Sequence, residues 1–231
     1  DIDGANLCFI RGPEFVAYEK PVLEDFHREY GEDGRRVSFN DPRMISIRCR
    51  YLTTFVRDTR RVLDQVGAKK GKRLELSAWV YSSVPCLSHI HHNYQSNLSY
   101  GLDVMTWIKE RLLDSVIQHG PLDSQLIAVA KANNCKFICH PCGGDWLKNV
   151  SAGYKAGVDG FTIWDFDGGS GYGTGGQDDP KWWAVASRIG HRQALEAFAG
   201  KIPELTTIRL KAVGGFDLLQ GRLWAAAYSG G

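Results

Sequence analysis

Histidine and cysteine gather in two places at spacings that can hold a metal. His89-Ile-His91-His92 sets three imidazoles within four residues, and Cys139-His140-Pro-Cys142 sets two thiols around a histidine, with Cys135 close by. Imidazole nitrogen and thiolate sulfur are what zinc takes, so the pair of clusters points to a metal centre. A single C-x-x-C with no second pair at zinc-finger spacing points equally to loop histidines and buried thiols. On an extended strand Cys139 and His140 face opposite ways, which works against four ligands in one place. Other side chains suit a sugar. Trp79, Tyr81 and Trp164 stand at the ends of apolar, strand-like runs, where flat rings can stack on pyranose faces while polar neighbours bind hydroxyls. Their other role is packing against flanking helices, the role that helical spacing favours for Trp182 and Trp183. The glycine-rich run 168–176 lacks the Gly-Lys-Ser/Thr of a phosphate loop, so it does not read as a nucleotide site. It reads as a flap carrying Tyr172 or as an ordinary loop.

These side chains belong to a chain of 231 residues, 43% hydrophobic and 23% charged, which is the composition of a globular protein and not a disordered one. With 28 basic and 26 acidic residues the formal charge is +2. No charge excess draws it to nucleic acid or to an anionic membrane. Nor does any apolar run approach the roughly 20 residues of a bilayer span. The chain starts at Asp1, with no signal peptide in view. Six cysteines are an even number, but a core of this size does not depend on disulfides, and the redox compartment stays open.

The elements that must position the chemistry alternate. Residues 1–11 read as a buried strand stopped by Gly12-Pro13, followed to about Pro42 by a polar, folded excursion anchored by Phe15, Tyr18, Phe26 and Tyr30. Leu52, Phe55, Val56, Leu63 and Val66 form one helical stripe with Gly67 as its stop, and 72–80 is the next strand. Asp103 caps a short helix with Val104, Trp107 and Ile108, ahead of a strand at 112–118. Leu126, Ile127 and Ala130 give a helix ending at Asn133-Asn134, and 136–140 a strand. Asp145 caps a helix through Leu147, Val150 and Tyr154 with Gly157 past its end, and 159–165 is a further strand. Asp179-Pro180 opens a helix with Trp183, Val185, Ala186 and Ile189, and a second helical piece runs to about Phe198. This is an α/β chain of five βα units with a parallel sheet. Residues 206–213 and 218–228 then read as two strands around Gly214-Gly215, giving a division into 1–200 and a β extension, 201–231.

Three segments resemble one family, the glycosyl-hydrolase-like (β/α)8 barrels distantly related to the α-amylase superfamily. Asp3-Gly-Ala-Asn-Leu-Cys-Phe-Ile-Arg11 resembles that family's fourth-strand motif D-G-x-x-L-D-[FY]-x-R. Gly101-Leu-Asp-Val-Met-Thr-Trp-Ile-Lys-Glu-Arg-Leu-Leu-Asp114 resembles its entry into strand six, and Ala156-Gly-Val-Asp-Gly-Phe-Thr-Ile-Trp-Asp165 its last strand. The resemblance spans about residues 1–200. It implies a TIM-barrel type of fold of which this chain supplies strands four to eight. The first three strands then belong to a longer protein, or a homodimer completes the barrel.

The resemblance further implies a carbohydrate-active protein, a glycoside hydrolase acting on an oligo- or polysaccharide, with a secreted or periplasmic setting favoured. In such barrels the site lies at the carboxyl ends of the strands, and hydrolysis uses two carboxyl groups. Asp165 is the first candidate and Glu14 the second; Asn6, Cys8, Arg11, Trp79, Tyr81, His119, His140, Trp164 and Asp167 are candidates to line the substrate. No cofactor is expected, and no nucleic-acid or membrane partner. Where the family motif places its nucleophilic aspartate, this chain has Cys8. That thiol is a small core residue of an enzyme whose carboxylates have moved, the mark of a site that binds sugar without cleaving it, or an activated nucleophile. The alternatives to a glycosidase are therefore a non-catalytic carbohydrate-binding barrel and a metal-dependent hydrolase. The latter would draw its ligands from His119, His140 and Asp165, with His91 reaching in.

Overall fold

The computed structural model describes residues 2–10, 15–84, 96–140, 146–163 and 186–198, and the backbone of 212–213 and 216–217. By its internal contacts the chain divides into one compact unit of residues 1–142 and 148–164 and another of 143–147 and 165–231. In the first unit β1 (Gly4–Cys8), β2 (Glu75–Tyr81), β3 (Ser115–His119), β4 (Lys136–Cys139) and β5 (Gly160–Phe161) make a parallel sheet in the order β1-β2-β3-β4-β5. Between them run α1 (Lys20–Tyr30), α2 (Pro42–Lys70), α3 (Val104–Lys109), α4 (Ser124–Ala132) and α5 (Trp146–Ala156). Strand neighbours in space are neighbours in sequence.

Parallel strands joined in sequence by right-handed crossovers leave their helices on one face of the sheet. The core shows this. Leu76, Ala78 and Val80 of β2, Val116 of β3, and Phe137 and Cys139 of β4 cluster with Leu52, Val56 and Leu63 of α2, Trp107 and Ile108 of α3, and Leu126, Ile127 and Ala130 of α4. Trp107, fully buried, donates its indole N–H to Thr53 Oγ1 at 2.9 Å, which satisfies the one polar atom it takes into the core. Alternation then turns Asn6, Cys8, Ser77, Trp79, Tyr81, Ile117, His119 and Ile138 to the opposite face, in the registers Asn6↔Ser77, Cys8↔Trp79, Tyr81↔His119 and Ile117↔Ile138.

The excursion after β1 is more regular than its polar sequence suggests. It contains α1, whose Val22 and Phe26 pack on Met44 and Ile47 of α2, and Phe15 meets Phe9 edge-on at 5.1 Å. The buried stripe of α2 also differs from the expected one, and its end is elsewhere. Phe55 and Val66 are exposed, and the helix runs on through Gly67 to Lys70. The stop is Gly71, left-handed at φ 67°, with Gly71 N bonded to Ala68 O and Lys72 N to Gly67 O, the paired bonds of a Schellman cap. Gly67 has a different reason to be glycine: a Cβ there would sit 2.4 Å from Lys72 O.

The other helix ends follow their sequence signals. Asp103 accepts from Thr106 N and Thr106 Oγ1 at the start of α3, and Asp123 accepts from Gln125 N and Leu126 N at the start of α4. Gly157 lies past α5 at φ 97°, while the expected cap Asp145 is outside the described residues. So are the expected boundary near residue 200 and most of the helix after Asp179-Pro180. In the second unit α6 (Arg192–Ala197) is described, and β6 (Ala212–Val213) pairs antiparallel with β7 (Phe216–Asp217), the second strand starting sooner after Gly214-Gly215 than the sequence suggests.

Candidate active site

The amino and carboxyl ends of the sheet are built differently. Three strands enter through an apolar-Asp-small triplet: Ile2-Asp3-Gly4, Leu113-Asp114-Ser115 and Val158-Asp159-Gly160. Asp114 Oδ2 accepts from Leu76 N at 2.8 Å and Asp159 Oδ2 from Phe137 N at 2.7 Å, so each carboxylate latches the strand before it. Asp114 also takes Arg60 Nη1 at 3.0 Å and Arg73 Nε at 2.8 Å. Asp3 differs: its carboxylate pairs with Lys72 Nζ at 2.7 Å, and that hydrogen bond and charge hold it below the usual carboxylate range. These motif aspartates do structural work at the bottom of the sheet.

At the carboxyl ends the sequence-derived candidates fall into one row on the face turned from the helices. Cys8 lies opposite Trp79, Tyr81 opposite His119, and the His119 and His140 rings stack at 5.1 Å with 19° between planes. Tyr81 meets His119 edge-on at 6.4 Å. Both histidines are 8% exposed. His140 Nδ1 lies 3.2 Å from Thr162 O; a carbonyl only accepts, so Nδ1 is the donor of that bond. Asn6 Nδ2 donates to Ser77 Oγ at 2.7 Å, which leaves its Oδ1 for a hydroxyl donor.

The aromatics are less open than the sequence suggests. Trp79 and Tyr81 are 9% and 4% exposed and cluster with Ile10 and Ile117. The Tyr81 hydroxyl donates to Ile10 O. Cys8, by contrast, is exposed. Of the three readings of this thiol, the small core residue is the one its exposure goes against: it lies on the outermost strand of the described sheet, facing away from the helices.

Cys139 is buried in the helix-side core, opposite to His140 as alternation requires. Among the described residues no group of three or more His, Cys, Asp or Glu is placed to hold a metal. Cys49 and Cys135 are buried free thiols that desolvation pushes up to about 12, so neither supplies a thiolate at neutral pH. Arg11, Glu14, Trp164, Asp165 and Asp167, with His89, His91, His92, Cys142 and Tyr172, lie outside the described residues.

Sequence reasoning missed Asn97, and placed Gln118 at a strand end without giving it a role; both are buried at this end of the sheet. Asn97 binds the backbone of Tyr81, and Gln118 donates to Pro121 O while its Oε1 accepts from Asp123 N at 3.3 Å. A polar residue on the core side of a strand, as Gln118 is, was the available signal. Asn97 carries none that its neighbours would reveal. No protein-family profile matches the chain, and no curated protein matches it. Among the described residues no helix is long and apolar enough to cross a membrane.

Proposed function

We propose that this chain is the carboxyl-terminal part of a (β/α)8-type barrel, or one half of a dimer-completed barrel, and that it is a glycoside hydrolase acting on an oligo- or polysaccharide. The observation that carries this reading is the row Cys8, Trp79, Tyr81, His119 and His140 at the carboxyl ends of sequential parallel strands, on the face turned from the helices. Parallel α/β sheets bind ligands at that end. Asn6 and His140 hydrogen-bond sugar hydroxyls, Trp79 and Tyr81 stiffen the wall behind them, and His119 backs His140. Asp165 donates a proton to the leaving oxygen or attacks the anomeric carbon, with Glu14 as its partner carboxyl group.

The test is chromatography of products from a panel of oligo- and polysaccharides, with Asp165→Asn beside the parent. Loss of turnover by a factor of about 100 or more is expected for removal of an acid/base group. Asp165→Asn that hydrolyses as fast as the parent overturns the assignment. One observation favours a second reading. The exposed Cys8 stands where the resemblance places the nucleophilic aspartate, and a protein that binds sugar without cleaving it explains that replacement at once. Saturable glycan binding with no product selects it.

A further inference from the structure

Among the described residues the β1–β2 register stops short of the end of β2. Glu75 N bonds to Asp3 O and Phe9 N to Trp79 O, so alternate residues of β2 from Glu75 onward aim their backbone groups at β1. By the same alternation Tyr81 aims its N–H and C=O that way, but the β1–β2 register ends at Cys8↔Trp79. Both groups are buried and need partners. Asn97 supplies them. Its Oδ1 accepts from Tyr81 N at 3.1 Å and its Nδ2 donates to Tyr81 O at 2.7 Å, so one side-chain amide takes both groups as a strand would. The other edge of β2 is conventional there, with Ser82 N bonded to His119 O at 2.8 Å.

Asn97 is itself fixed from two directions. Tyr100 N and Leu102 N donate to Asn97 O, closing the 3-10 turn of Leu98–Tyr100. The fully buried Arg48 of α2 donates to Ser99 O at 3.0 Å and to Phe39 O. That turn is pressed so close to α2 that a Cβ on Gly101 would lie 3.1 Å from both Arg48 Cβ and Leu52 Cδ1. A rigid path thus runs from α2 through the turn to Asn97, to the Tyr81 backbone, and by the Tyr81 ring to His119 and the His140 stack.

We propose that Asn97 is a positioning residue: by holding the Tyr81 peptide it sets the Tyr81 ring against His119 and so the arrangement of the His119–His140 pair. The role in sugar turnover rests on the function proposed above; the positioning itself does not. Tyr81 is held at its N–H, C=O and hydroxyl together, the first two by the amide of Asn97.

The experiment is imidazole-region 1H–15N NMR of the full chain, with His119 and His140 assigned by single substitution. Asn97→Ala is compared with Asn133→Ala, which removes a side-chain bond to Val129 O at the far end of α4 and serves as a control for general loss of stability. The expected result is a shift of the His119 and His140 ring signals in Asn97→Ala, with both unmoved in the control. Ring signals of a folded Asn97→Ala that superimpose on the parent overturn the proposal. If the alanine variant does not fold, Asn97→Asp, which keeps the acceptor for Tyr81 N, is read in the same way. On any glycan the parent turns over, Asn97→Ala lowers kcat more than it raises KM. A parent that turns over no glycan refutes the proposed activity and leaves the NMR result to decide on Asn97.

Discussion

Asp114 is where the sheet can be weakened most sharply by one atom. Its carboxylate receives Arg60 Nη1 at 3.0 Å, Arg73 Nε at 2.8 Å and the buried Leu76 N at 2.8 Å. Arg60 is 4% exposed, and its remaining charged partner, Asp64, is half exposed at 2.7 Å. Asp114→Asn keeps the shape and one acceptor, but removes the charge opposite a buried guanidinium. Hydrogen bonds to charged groups are worth about 1.5–3 kcal/mol each, and stripping a partner from a buried ion pair costs about 3–5 kcal/mol. Asp64 retains part of the compensation for Arg60, so the expected loss for Asp114→Asn is about 2–3 kcal/mol. Asp114→Ala adds an orphaned Leu76 N–H, worth about 1–3 kcal/mol, and should reach about 4 kcal/mol. Urea unfolding at fixed m reads both values from the midpoint. Arg60→Met should then relieve part of the Asp114→Asn loss in a double-mutant cycle. Asp114→Asn within about 0.5 kcal/mol of the parent would refute the latch, since that is the range of an ordinary surface substitution.

Two glycines of α2 separate steric from conformational need. Gly67→Ala, with Lys72 O in the way of its Cβ, should cost about 1–3 kcal/mol in thermal unfolding. Gly71→Ala meets open space at φ 67° and should cost about 1–2 kcal/mol, with Gly71→Asn milder; equal tolerance at Gly67 would contradict the close approach. Of the four described cysteines, only Cys8 should react with a thiol reagent in the native protein at neutral pH, with Cys49, Cys135 and Cys139 reacting after unfolding; mass mapping of the labelled peptides decides this. Burial raises Cys49 and Cys135 from 9.0 to about 12. The folded state therefore holds more protons than the unfolded one across that window, and stability should fall as pH rises from about 9 to 12 and be unaffected by these thiols below it. Arg48→Met leaves Phe39 O and Ser99 O without their donor and should cost about 2–4 kcal/mol, read by the same urea titration.

The alternation of strand and helix was legible because each element carries its own punctuation. Asp103 and Asp123 cap, Asn133 and Gly157 close, and the buried side of each strand is apolar where it meets a helix. Helix α1 was not legible, because its apolar residues are few and its stability comes from Phe26 and Val22 packing on α2, a tertiary contact that periodicity does not register. The end of α2 was misjudged by one turn because Gly67 and Gly71 look alike in sequence while only Gly71 is left-handed. At the candidate site, strand-end position identified Cys8, Trp79, Tyr81, His119 and His140 as companions. It did not reveal that Trp79 and Tyr81 are closed over by Ile10 and Ile117, nor that an asparagine 16 residues beyond Tyr81 completes β2. Both depend on where a loop returns, which no local pattern encodes.

The sequential strand order also sets a timetable for assembly. The contact between Asn6 and Ser77 closes 71 residues, that between Leu76 and Asp114 38, and that between Phe137 and Asp159 22. Loop closure grows logarithmically with length, so joining β1 costs about 1 kcal/mol more in chain entropy than joining β4 to β5. During synthesis β1 emerges first yet must wait unpaired while α1 and the 29 residues of α2 are made. On chain entropy alone the strands β3 to β5 join at the lowest cost and β1 at the highest, so the sheet is expected to close on its own beginning.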